Sequence, residues 1–336
     1  LTYGASSDRR LGVEGEDLPG SVAATDFVAW YTGYPDYRGP DFAELLQQVR
    51  SVAVIGVGNV AVDVVRVLSK SPAELAHTDM PEHVLKALAS APVTSVHLVG
   101  RRGPAQASFT TKELKELGEL AEAEVVISAA DLELDDSSAA ALVDNKVAAR
   151  NVKVLTEWAE RAPRADANSH ITFHFFSRPA AVTGRDKVTG LDLERTAFNA
   201  DGDLVDTGHR EHIDVDLVVR SVGYRGRPLP GIPFDDSQGV IPHQDGRVLE
   251  GDQPVVGLYV AGWIKRGPTG IIGTNKKCAV QTVASLLDDA QAGAIVAGGH
   301  EDRDLVSELE SRGKVVVGVQ GWRAVDRAEQ ERGNVL

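Results

Sequence analysis

Residues 51–68, SVAVIGVGNVAVDVVRVL, decide the fold. The apolar run 52–55 reads as a buried strand, Gly56-Val57-Gly58 as a turn, and Val60, Val64, Val67 and Leu68 recur at helical spacing to make one apolar face. In Gly56-x-Gly58-x-x-Ala61 the first glycine permits a tight turn. The second lets a pyrophosphate approach the backbone, and Ala61 lets the helix pack close on the strand. The start of that helix offers free N–H groups and a partial positive charge to phosphates. The pattern is short, and a purely structural turn would share it. Its strand-turn-helix setting is what reads as a dinucleotide grip.

The next strand, SVHLV at 95–99, selects the nucleotide. An NAD site usually ends this strand on an acid that holds the ribose 2′-hydroxyl. Here it ends on Gly100-Arg101-Arg102-Gly103. Two guanidinium groups match a 2′-phosphate in charge and geometry, so the sequence points to NADP. A solvated basic turn is the competing reading of the same residues.

The rest of the chain places this unit in an α/β doubly wound parallel sheet. Loops rich in Gly and Pro, 12–21 and 31–40, precede it, with a short helix between them and, at 42–50, a second short helix or a loop leading into the fingerprint. Residues 71–91 read as a helical insertion starting at Ser71-Pro72. Residues 110–122 read as a helix capped by Thr110 or Thr111, 124–128 as a strand and 131–161 as mostly helix. Residues 169–177, 180–199 and 212–224 then read as an antiparallel meander with a return strand. A strand at 255–263 runs into a glycine turn and a helix at 275–290, and the tail 304–333 reads helix, strand, helix. Residues 1–5 read as the end of a strand.

Composition bounds the partners. The chain has 336 residues, 43% hydrophobic and 25% charged, with net charge −14. That acidity argues against nucleic acid or an anionic membrane as the main partner. No apolar run approaches the ~20 residues that span a bilayer. The single cysteine, Cys278, rules out an internal disulfide and a Cys-x-x-Cys pair, and a reducing cytoplasm is expected.

Four stretches, GEDLPGSVAATDFVAWY (15–31), GVGNVAVDVVRVL (56–68), VGRRGPAQASFTTKEL (99–114) and GLYVAGWIKRGPTGIIGT (257–274), resemble the adrenodoxin-reductase-type ferredoxin–NADP(+) reductases, bacterial members included. The similarity runs over essentially the whole chain. It implies an NADP domain at 9–224 carrying the meander, inserted in an incomplete FAD-binding Rossmann-like domain made of 1–8 and 225–336. It implies that Val57, Gly58, Asn59 and Val60 contact the NADP pyrophosphate and nicotinamide ribose, that Arg101 and Arg102 hold the 2′-phosphate, and that Arg9 reaches the nucleotide from the hinge. Glu113 would touch the nicotinamide nucleotide. Glu116, one turn further on the same face, would be the catalytic carboxylate of a proton relay, although KELKEL taken alone reads as a solvated helix face. Trp263 would contact FAD, with Gly270, Ile271 and Ile272 presenting N–H groups to the flavin ring and Gly270 also near the nicotinamide. Lys265 and Arg266 would stabilise negative charge or dock an acidic ferredoxin.

The resemblance also implies a first Gly-x-Gly-x-x-Gly ahead of residue 1 and a histidine there to partner Glu116. The chain is therefore expected to be trimmed at both ends, or part of a fusion or cleaved protein. The implied activity is hydride transfer from NADPH to FAD and single-electron transfer to a ferredoxin, or the reverse. An NADP-binding fragment without redox activity is the alternative. An electron-input subunit like those of glutamate synthase would need cluster cysteines that one cysteine does not supply.

Overall fold

The computed structural model describes residues 1–270, 272–295 and 304–333. They fall into two units, Gly4–Arg227 with Asp236–Val240, and Leu1–Tyr3 with Pro228–Asp235 and Ile241–Leu336.

The larger unit opens with β1 (Ser7–Asp8), β2 (Ser21–Ala23), α1 (Ala24–Tyr31) and α2 (Phe42–Leu45), then reaches the fingerprint strand β3 (Ser51–Ile55) and helix α3 (Asn59–Ser69). It continues through α4 (Pro72–Leu75), α5 (Glu82–Ser90), β4 (Ser95–Val99), α6 (Thr111–Leu117), β5 (Ala123–Ile127), α7 (Asp136–Val143), α8 (Lys146–Ala159) and β6 (Ser169–His174). Three antiparallel strands follow, β7 (Ser177–Thr183), β8 (Gly190–Phe198) and β9 (Leu204–Asp214), and then β10 (Leu217–Arg220) and β11 (Tyr224–Arg225).

The parallel sheet has the order β2-β10-β3-β4-β6-β5. Its alternation explains the layers. Val52 and Val54 of β3, with Leu217 and Val219 of β10, join Phe27, Ala61, Val64, Leu114 and Leu155 in a helix-covered core. Ala53, Ile55 and Val218 face the other way and pack with Val182, Leu191, Leu193 and Ile213 of the β7-β8-β9 sheet. Covering both faces is what lets the strands be near-continuously apolar. Burying one such valine contributes about 1.5–3 kcal/mol.

Several expectations are corrected. Residues 169–177 do not open the meander, because β6 runs parallel between β4 and β5. Ile171 and Phe173 enter the helix-side core, leaving His170, Thr172 and His174 on the other face. The strand read at 212–224 is divided after Asp214, and its second part crosses into the parallel sheet as β10, between β2 and β3. The region 131–161, read as mostly helix, is so, in two helices, α7 and α8. The start at Ser71 is a full capping box, with Ser71 N–H donating to Glu74 Oε2 (2.9 Å).

The smaller unit holds an antiparallel sheet of β12 (His243–Gln244), β13 (Arg247–Glu250) and β14 (Gln253–Tyr259). Helices α9 (Trp263–Arg266), α10 (Ile272–Gln291), α11 (Leu305–Ser311) and α12 (Val319–Arg332) follow. Ile241, Val248, Val260 and Ile264 form its core. No strand forms at 1–5, where Leu1 N donates to Tyr259 O and Ala261 N to Leu1 O. None forms between α11 and α12 either, where Val315 and Val317 are exposed with no strand to pair with among the described residues. No described helix is long and apolar enough to cross a membrane.

Candidate dinucleotide site

The fingerprint turn leaves the C-terminal end of β3 beside the C-terminal end of β4, where ligands of open parallel sheets bind. Gly56 has φ +130°, and a Cβ there would lie 2.2 Å from Ser221 O. Its need for glycine therefore comes from the neighbouring end of β10 as well as from the turn. Gly58 is different. Its backbone is extended, it starts α3 with no side-chain cap, and a Cβ would meet only Ser108 Oγ, at 3.3 Å. The first N–H groups of α3 thus keep an open approach, which fits a phosphate group. Ala61 is fully buried, as close helix–strand packing requires.

Arg101 and Arg102 sit on the turn after β4, and the Gly100 before them packs against the fingerprint: a Cβ at Gly100 would be 2.6 Å from Val57 Cγ1. Their backbones are fixed, Arg101 O accepting from Thr196 Oγ1 (2.6 Å) and Arg102 O from Phe176 N (3.2 Å). Both side chains are exposed, and neither has a side-chain partner among the described residues. Two adjacent guanidinium groups without a carboxylate are a receptor for a phosphate dianion.

Helix α6 comes next to this turn. Neither Thr110 nor Thr111 caps it through its own side chain. Instead Asn59 Oδ1 accepts the Thr110 N–H (2.8 Å), and Ser108 N–H donates to Val57 O (2.9 Å). The fingerprint itself thus caps the helix that carries Glu113 and Glu116. Glu113 Oε2 is buried without a hydrogen-bond partner, an orphaned oxygen that a ligand hydroxyl or amide can satisfy. Glu116 is ion-paired to Arg66 of α3, which also bonds Asp63. The sequence reading missed Arg66 and Asp63. Their signal was the i,i+3 spacing on the polar face of α3. Burial raises the Asp63 carboxyl above its usual range, Arg66 pulls it back and Glu113 pushes it further up.

Arg9 lies on the ribbon formed by β1 and β11, its Nε donating to Tyr224 O (3.3 Å) and its N–H to Gly223 O (2.9 Å). The same corner gathers desolvated acids and phenols. Burial raises Asp8, Asp26 and Tyr31, and pushes Tyr224 up to about 12. A separate cavity of about 160 Å³ lies by Ser69, Ser71 and Ser169, at the strand-entry edge of the sheet and away from this turn.

In the smaller unit, Gly262, Gly267 and Gly270 all have positive φ, and a Cβ at Gly262 or Gly267 would meet nothing within 4 Å. The bend is thus open at Gly262 and Gly267, whereas a Cβ at Gly270 would meet Thr274 Oγ1 at 2.7 Å, and the nearby Arg266 Nε is buried without a partner. Lys265 is only 4% exposed, its ammonium donating to Gln281 Oε1 (2.8 Å) and Thr282 Oγ1 (3.1 Å), so it is corrected out of any docking surface. Exposed Lys276 and Lys277 are the cations that α10 presents instead. Ile271 lies outside the described residues, and Ile272 is placed only as the start of α10.

Fold and site together define a dinucleotide-binding α/β protein. No family model matches the sequence. It is 45% identical to the NADPH-ferredoxin reductase FprA of Mycobacterium tuberculosis, over 98% of this chain and 72% of that protein. It is 36% identical to the mitochondrial NADPH:adrenodoxin oxidoreductase of Arabidopsis thaliana, over 99% and 72%. The solved structure of M. tuberculosis FprA in complex with NADPH superposes with TM-score 0.77 at 40% identity, covering 98% of this chain and 68% of that one. The chain belongs to the NADPH–ferredoxin reductase family, relatives of adrenodoxin oxidoreductase.

Proposed function

We propose that this chain binds NADPH on its larger unit and passes its electrons through a flavin, FAD, to a ferredoxin. The observation that carries the nucleotide choice is the exposed Arg101–Arg102 pair, which directly follows Gly100 where that residue packs against Val57 of the fingerprint turn. Family membership supports the rest. A bound flavin supplies a hydride acceptor that releases electrons singly. The chain's own groups do the positioning. The N–H groups at the start of α3 hold the pyrophosphate beside Val57, Gly58, Asn59 and Val60, Arg101 and Arg102 hold the 2′-phosphate, and Arg9 closes on it from the ribbon. Glu113 receives the nicotinamide nucleotide, and Glu116 holds or moves a proton beside it. Trp263 and Gly270 are assigned to the flavin. The boundaries that go with this are an NADP domain at 9–224 and flavin-domain segments at 1–8 and 225–336.

Ferredoxin docking is assigned to exposed lysines such as Lys276 and Lys277, acting locally despite the net charge of −14. A reducing cytoplasm suits the single, buried, free Cys278. An NADP-binding protein without redox activity is less favoured, because the match to reductases runs over 98% of this chain. The absorbance spectrum of the purified chain tests the choice. Flavin bands that bleach on adding NADPH are expected, whereas NADPH binding to a colourless protein would select the inactive alternative.

A further inference from the structure

The hydrogen bonds at the start of α6 come from two directions. One is Asn59, in the fingerprint. The other is Asn151, in the middle of α8, 1% exposed and remote in sequence from every candidate site residue. Its Nδ2 donates to Phe109 O (3.0 Å), and its Oδ1 accepts from Thr111 Oγ1 (2.7 Å). Phe109 itself is buried at 1% exposure. Residues 109–111 are thus held by α8 on one side and, through Thr110 N–H, by the dinucleotide turn on the other.

A buried asparagine uses two polar groups that would otherwise be expensive to bury, and here both are spent on the three residues that launch α6. The helix is only seven residues long, so its direction is set at its start. Glu113 is the third residue of α6 and Glu116 the sixth. A small rotation at Thr111 therefore moves both carboxylates. It also loosens the contact of Glu116 with Arg66.

We propose that Asn151 is a positioning residue of the dinucleotide site, setting the placement of Glu113 and Glu116 without touching the nucleotide. The inference rests on the NADPH reading above. It separates two halves of the ligand. The 2′-phosphate end meets Arg101 and Arg102, whose backbones are fixed by Thr196 and Phe176 and owe nothing to Asn151. The nicotinamide end meets α6.

The test is binding of two probes, NADPH and 2′,5′-ADP, to the chain and to Asn151→Ala, by calorimetry. Asn151→Ala is expected to weaken NADPH by about five- to tenfold and 2′,5′-ADP by less than about twofold, the scale of lost hydrogen bonds acting on one end only. Thr111→Val removes one bond while keeping Asn151 on Phe109 O. It should shift NADPH in the same direction by less, and Thr111→Ser should restore it. If Asn151→Ala does not fold, the Thr111 pair decides alone. Equal weakening of both probes, or no change in either, overturns the inference and leaves the NADPH reading standing. Wild-type chain that binds neither probe overturns both.

Discussion

Arg101 and Arg102 are the residues on which nucleotide choice turns. A charge-assisted hydrogen bond to a phosphate is worth about 1.5–3 kcal/mol. Arg101→Ala with Arg102→Ala should therefore weaken NADPH by about a hundredfold or more and leave NADH nearly unchanged. Equal losses for the two nucleotides would remove the 2′-phosphate assignment. Glu116 makes a second residue-scale prediction. Its contact with Arg66 shows that it is not the freely solvated face that KELKEL alone suggests. In a flavin-loaded protein Glu116→Gln should change the pH dependence of turnover. An unaltered profile with lowered stability would make the residue a structural partner of Arg66 only. The arginine pair was legible because its place at the end of the second strand gives it meaning. The pairing of Arg66 with Glu116 and the hold of Asn151 on α6 were not, because both depend on helix packing that no local pattern encodes.

At the scale of elements, the fingerprint is more constrained than its motif says. Gly56→Ala would force a side chain into φ +130° and a Cβ against Ser221 O. It should destabilise the larger unit by about 2–4 kcal/mol or prevent folding, measured by urea denaturation without any nucleotide present. A loss of nucleotide binding at unchanged stability would contradict this account. The strand-turn-helix unit and the Ser71 cap were readable from sequence, since turn and cap chemistry is local. The place of β6 was not. Its alternation suits a meander strand equally well, and only partners on both sides make it an inner parallel strand. The tail failed for the same kind of reason: Val315 and Val317 have strand propensity but, among the described residues, no strand beside them.

For the larger unit as a whole, the join between its parallel sheet and the β7-β8-β9 sheet predicts a response to acid. His97 and His174 share a hydrogen bond (2.9 Å) on the face of β4 and β6 opposite the helices. Burial lowers both, His97 to about 4, with His174 adding to its shift. Between that value and the unfolded histidine's 6.5 the unfolded chain holds more protons, so stability rises with pH across the window and falls as pH drops through it. Urea midpoints should fall from pH 6.5 to pH 4, with a slope approaching about 1.4 kcal/mol per pH unit for each proton. His97→Gln should flatten that slope, and an equally steep slope in the variant would place the acid sensitivity elsewhere.

The position of β10 has a consequence for how the molecule is made. Strands β2 and β3 flank a slot that residues 217–220 fill, and Ser221 then closes on Gly56. On a ribosome, the nucleotide turn is synthesised more than 150 residues before the strand that braces it, the span from Gly56 to Leu217. Val22 and Val54 must wait with open backbone edges toward each other until it arrives. A nascent chain arrested before residue 217 should therefore be protease-sensitive and a chaperone client, and should gain resistance abruptly, from the middle of the sheet outward, once β10 has emerged.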